Sequence, residues 1–197
     1  MSGRDVMLDR IRAALGGAAA PAAEIPRGYR RGDRPVDLDL FVRRLEDYKA
    51  VVHRGVSIAE TVAGLAPAPL IVPPGIDPAW LPGSVEVLTD DGLSADTLAV
   101  AGGVLTAAAV AVAETGTIVL DGSPDQGRRI ISLLPDLHIC VVRADQVVAS
   151  VPQAIARLDP RRPLTWISGP SATSDIELNR VEGVHGPRRL HVIVTEG

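Results

Sequence analysis

Three short stretches in the last third of the chain concentrate groups that bind or move charge. The first is Glu114-Thr115-Gly116-Thr117, a carboxylate and two hydroxyls around a glycine. Glu114 is a candidate nucleophile, base or acceptor for a substrate hydroxyl. Gly116 would let a ligand approach the backbone closely. A plain turn with a solvated Glu114 fits the same residues. The second stretch, 168–177, places Ser168, Gly169, Ser171, Thr173 and Asp175 between a strand and a helix. Free amides at such a helix start suit a small carboxylate or phosphate ligand. The Ser174 to Glu177 spacing is also that of a capping box, which needs no ligand at all. The third stretch, 183–188, holds His185 between two glycines and ends on Arg188. His185 is a candidate acid or base, and Arg188 is suited to grip a carboxylate with two hydrogen bonds. A loop histidine serves as readily in a structural role.

Other chemistry is thinly represented. His53, His138 and His191 share no ligand spacing with His185. No HExxH or comparable pattern makes a metal set of Asp175, Glu177 and His185, so no metal site is expected. Cys140, the single cysteine, sits between Ile139 and Val141 and reads as a buried, inert thiol. It excludes a disulfide within the chain and any cysteine-rich cluster. Lys49 is the one lysine, and no phosphate-binding GxxxxGK[ST] surrounds it. The nucleophile elbow GxSxG, the dinucleotide GxGxxG and CxxC are absent as well.

These loops need elements to position them. Residues 5–15 read as a short amphipathic helix stopped by Gly16-Gly17, and 16–36 as a linker rich in Ala, Pro, Gly and Arg. This gives an N-terminal arm over 1–36 and a main domain over 37–197. Leu38, Phe41, Val42, Leu45 and Tyr48 recur at helical spacing, predicting a helix over 37–53. A second helix follows at 57–65, with Ser57 as N-cap and Glu60 three residues on. Strands are expected at 70–72, 85–89, 98–101, 117–120, 137–142, 164–167 and 190–194. Helices are expected at 105–113, which is alanine-rich, at 128–134, at 153–158 with Ser150 as cap, and at 175–181. Apolar runs alternating with helices argue an α/β fold whose largely parallel sheet is buried on both faces. In such sheets ligands gather at the carboxyl ends of strands, where the three loops would converge.

The bulk figures narrow the function classes. The net charge of −4 and the 3% of aromatic residues argue against nucleic-acid binding by phosphate neutralisation or base stacking. The N-terminus carries charges and no apolar core segment, and the alanine-rich stretch is too short for a bilayer span. A cytoplasmic protein without signal peptide or membrane span is expected, with its core built from Val, Leu, Ile and Ala.

The order and spacing of four motifs resemble the lactate utilisation protein C family, the small LUD-domain proteins. The motifs are Glu-Thr-Gly-Thr at 114–117, Pro-Asp-Leu-His-Ile at 135–139, Ser-Gly-Pro-Ser-Ala-Thr-Ser-Asp-Ile-Glu at 168–177 and Gly-Val-His-Gly-Pro-Arg at 183–188. The resemblance covers 98–194 closely and the rest loosely. It implies a sheet flanked by helices like that of the NagB/RpiA/CoA-transferase group. It also implies a part in oxidising L-lactate to pyruvate beside A and B type partner proteins. Iron–sulfur cofactors would then belong to those partners and none to this chain. No established catalytic residue comes with the family, and Ser174 stands where alanine is as readily expected. Two other functions fit the same loops. One is a stand-alone enzyme binding CoA, a nucleotide or a carboxylate, with Glu114 as nucleophile in the manner of CoA transferases. The other is a structural or regulatory protein that docks through 1–36.

Overall fold

The spacing of apolar residues becomes two stacked sheets in the computed structural model, which describes residues 2–16, 35–173, 181–182 and 186–196. In chain order the elements are α1 (Gly3–Leu15), α2 (Leu38–Asp47), β1 (Val51–Arg54), α3 (Ile58–Leu65), β2 (Leu70–Val72), β3 (Val87–Thr89) and α4 (Ala95–Ala99). Then come β4 (Gly103–Ala107), β5 (Val110–Val112), β6 (Thr117–Leu120), β7 (Leu137–Arg143), β8 (Val147–Val148) and α5 (Val151–Arg157). The chain closes with β9 (Thr165–Ile167), β10 (Ala172–Thr173), β11 (Val181–Glu182) and β12 (Arg189–Thr195). It divides into two units, Met1–Arg30 and Arg31–Gly197. The described part of the first is α1, started by a capping box between Ser2 and Asp5.

The larger sheet has six strands in the order β1-β12-β7-β4-β2-β3, all parallel. Alternation along its strands sorts their side chains onto two faces. On one face Leu105, Leu137, Ile139, Val141 and Ile193 pack with Val62 of α3. On the other, Cys140, Val142, Leu190, Val192 and Val194 meet Phe41 and Leu45 of α2 and Ile118 and Leu120 of β6. That second face is covered by a four-stranded sheet, β8-β5-β6-β9, whose β5–β6 and β6–β9 pairs are antiparallel. The outer side of this smaller sheet buries Val110, Val112 and Val119 against Ala154 of α5. A sheet facing protein on both sides reads as a continuous apolar run, and β4 to β6 are buried at every position.

The parallel α/β core agrees with expectation, and the smaller sheet is an addition to it. The 105–113 segment is not a helix. It forms the end of β4 and all of β5, with Ala108 and Ala109 between them. Alanine favours helices in isolation, but here its small side chain fits the narrow space between two sheets, and packing overrides propensity. The reverse error falls at 98–101. Leu98 and Ala99 end the short α4, capped by Ser94, and Val100 beyond it is 81% exposed. The helix expected over 37–53 stops at Asp47, because Lys49 takes a left-handed φ of 71° and the β-branched Val51-Val52 start β1. At 128–134 only a 3₁₀ turn forms, Arg129–Ser132. Of the helix expected over 175–181, residues 175–180 lie outside the described residues, and Val181 belongs to a strand pairing Ala172-Thr173 with Val181-Glu182. No helix among the described residues is long and apolar enough to cross a membrane.

Candidate functional site

Two of the three chemistry-bearing loops meet at one cavity of about 280 Å³. Ser168, Gly169 and Ser171 line it from the end of β9, and Gly186 and Pro187 from the approach to β12. The loops are pinned together by the Ser171 amide, which donates to the Pro187 carbonyl at 2.8 Å. Further wall comes from β9 itself, from His138 and Leu190, and from the 3₁₀ turn carrying Arg129 and Ser132. His138 and Leu190 are the second residues of β7 and β12. The cavity therefore opens at the amino ends of those two strands, not at the carboxyl ends where the loops were expected to converge. The smaller sheet is the physical reason: β6 and β9 bring their own loops to that end of the larger one.

The third loop stays outside the cavity lining and reaches it through hydroxyls. Thr115 Oγ1 lies 2.8 Å from Thr117 Oγ1, which lies 2.8 Å from Ser168 Oγ. Glu114 joins two strands, not a helix and a strand. Its carboxylate accepts from the Val151 amide at 3.1 Å, at the first turn of α5. A carboxylate at a helix start satisfies an orphan amide and the helix dipole, so this group already has an employment. Gly116 and Gly169 are fixed by close approach to α2. Both have positive φ, 61° and 85°. A Cβ at Gly116 would stand 2.7 Å from the Arg44 carbonyl carbon, and one at Gly169 would stand 2.6 Å from Tyr48 Cβ. Arg188 donates from Nε to Asp136 Oδ1 at 2.6 Å, and this guanidinium holds the Asp136 carboxyl below the usual carboxylate range. Asp175 and His185 lie outside the described residues, as does the side chain of Thr173.

The structure adds two residues that spacing did not single out. His138 is 1% exposed yet lines the cavity. Its Nε2 lies 2.8 Å from Thr106 Oγ1, which lies 3.8 Å from Cys140 Sγ. Burial depresses the imidazole to about 4 and pushes the thiol up to about 12. Both groups are therefore neutral near pH 7, and Cys140 is the inert thiol expected. The signal was a histidine two residues before a cysteine inside an apolar strand, which puts both on one face. The second residue is Arg129, exposed and lining the cavity, whose guanidinium has no hydrogen bond or ion pair among the described residues. Nothing in its sequence neighbourhood distinguished it from Arg128, which is tied to the buried Asp90.

Elsewhere the carboxyl ends of β4 and β7 open on a wider, more polar cleft. Its cations are engaged: Arg143 Nε donates to Asp145 Oδ1 at 3.1 Å and Arg157 Nη1 to the Asp145 carbonyl at 2.9 Å. On the opposite face of the large sheet, His53 and His191 stack with ring centroids 5.3 Å apart and their Nε2 and Nδ1 atoms 3.0 Å apart. Among the described residues no group of three metal-binding side chains forms.

A cation unpaired among the described residues, a neutral imidazole and several hydroxyls around a small cavity suit a small anion bearing a polar substituent. Comparison with known proteins gives this arrangement its relatives. The LUD domain matches residues 92–195. A lactate utilization protein C of Deinococcus radiodurans is 48% identical over 201 residues, covering 95% of this chain and 93% of the relative. A lactate utilization protein C of Bacillus licheniformis is 37% identical over 95 residues, 44% of this chain and 39% of that protein. A crystal structure described as a DUF162 family protein from Deinococcus radiodurans superposes with a TM-score of 0.70 at 44% identity, covering 82% of this chain and 99% of that one. The chain belongs to the LUD-domain family, within its lactate utilisation protein C group.

Proposed function

We propose that this chain is the substrate-handling subunit of an iron–sulfur system that oxidises L-lactate to pyruvate. The names of its relatives support the pathway. The cavity supports the role, and one observation carries it: Arg129 and the neutral His138 line the same small space. Arg129 is the group for the carboxylate, and His138 is the group for the substituent on the adjacent carbon. Oxidation removes two electrons and two protons from lactate and needs a redox centre. A single cysteine cannot ligate a cluster, so A and B type partners carry the electrons in this reading. A cytoplasmic setting suits such partners. The test is reconstitution of the three components with and without this chain. Lactate-dependent reduction of an electron acceptor is expected to fall at least about tenfold without it. Equal rates would sink the proposal.

A further inference from the structure

The hydrogen-bond direction behind His138 can be followed to its end. The Ala107 carbonyl can only accept. Cys140 Sγ lies 3.7 Å from it and donates its one proton there. With the thiol held protonated by burial, Sγ is left as an acceptor for the Thr106 hydroxyl, 3.8 Å away. A Thr106 hydroxyl turned towards Sγ offers His138 Nε2 its lone pairs, at 2.8 Å. A neutral imidazole carries one ring proton, which in this donor order sits on Nε2. Among the described residues no group meets Nδ1, and no buried side-chain nitrogen or oxygen goes unpaired. Nδ1 therefore faces the cavity that His138 lines.

We infer that His138 presents Nδ1 to the cavity as a bare hydrogen-bond acceptor, so that the site selects a small 2-hydroxy carboxylate over its 2-oxo counterpart. The inference rests on the reading of this cavity as the substrate site. A hydroxyl donates to the bare nitrogen, whereas a ketone oxygen would set lone pair against lone pair and leave both unsatisfied. Arg129 grips the carboxylate that both acids share, so it supplies affinity without discrimination. The cavity volume of about 280 Å³ lies just below the range of roughly 300–1,000 Å³ usual for small-molecule sites. That favours a few-atom acid over CoA or a nucleotide. His138 is a specificity-determining residue here, and Thr106 is a positioning residue acting through it.

The full chain labelled with ¹⁵N-histidine tests this by NMR. The His138 resonances should report the Nε2–H tautomer. Titration should shift them at an L-lactate concentration about tenfold below that needed for pyruvate, the worth of one hydrogen bond. Thr106→Val removes the acceptor for Nε2–H and should bring the two acids within about twofold, while Thr106→Ser restores the preference. An Nδ1–H tautomer, or equal binding of both acids by the unaltered chain, overturns the inference and leaves the cavity reading standing. Failure of both acids to move His138 at saturating concentration overturns the cavity reading and the inference with it.

Discussion

A buried imidazole that stays neutral in the fold gives stability a pH dependence of known sign. The folded value for His138 is about 4, below the ordinary 6.5 that it regains on unfolding. The unfolded chain therefore binds a proton first as the pH falls. Stability from this group is complete above pH 6.5 and is lost progressively down to about pH 4. The loss amounts to about 3 kcal/mol across that window. Urea unfolding at pH 7 and pH 4.5 should show most of that loss, and His138→Gln should flatten it. Asp90 and Asp136, held low by Arg128 and Arg188, add their own loss only at lower pH. Equal pH dependence in the variant would mean that His138 is solvated in the fold. At this scale the sequence was half legible. Ser168, Gly169 and Ser171 line the cavity, but His138 and Arg129 acquire their meaning only from what the sheets bring beside them.

The elements explain why residues that look reactive hold the framework. The turn between β5 and β6 presses against α2 at Gly116. Gly116→Ala adds a methyl to a left-handed backbone in contact with the Arg44 main chain, and should destabilise by about 2–4 kcal/mol. Thermal or urea unfolding checks this, and an effect below about 0.5 kcal/mol would contradict the close approach. On the same turn, Glu114 tethers α5. Glu114→Ala should lower stability by about 1 kcal/mol, as for other helix caps. Glu114→Gln, which keeps an acceptor oxygen, should lose less and leave lactate oxidation by the reconstituted system unchanged. A collapse of that activity in Glu114→Gln would return Glu114 to the role of nucleophile. Helices α2, α3 and α5 and the strands β2, β6, β7 and β12 were readable from spacing and caps. The alanine-rich β4–β5 region was not, because a segment buried on every side has no periodicity to show. The strands β6 and β9 were expected, but without β5 between β6 and β8 the smaller sheet was hidden, and with it the amino-end position of the cavity.

At the scale of the whole chain, the four apolar clusters of the described residues draw on residue 38 and beyond. No residue of α1 is buried. Removing residues 1–16 should therefore leave the melting temperature of the remainder within a few degrees, since about 1 kcal/mol corresponds to roughly 2–4 °C at this size. A large fall would give the arm a part in the fold. The family was legible because four loop motifs keep their order and spacing over the second half of the chain, and the parallel core because apolar runs alternate with helices. The reaction was not, because it depends on how one small cavity is furnished and on what docks beside it. The central claim is that this cavity handles the substrate, and Arg129→Gln tests it most directly. The variant keeps the stem of the side chain and removes its charge at an exposed position, so fold and assembly should survive. In the reconstituted three-component system it is expected to raise the KM for L-lactate about tenfold or more, as loss of a charged hydrogen bond predicts. An unchanged KM and rate, with the complex intact, would contradict the account.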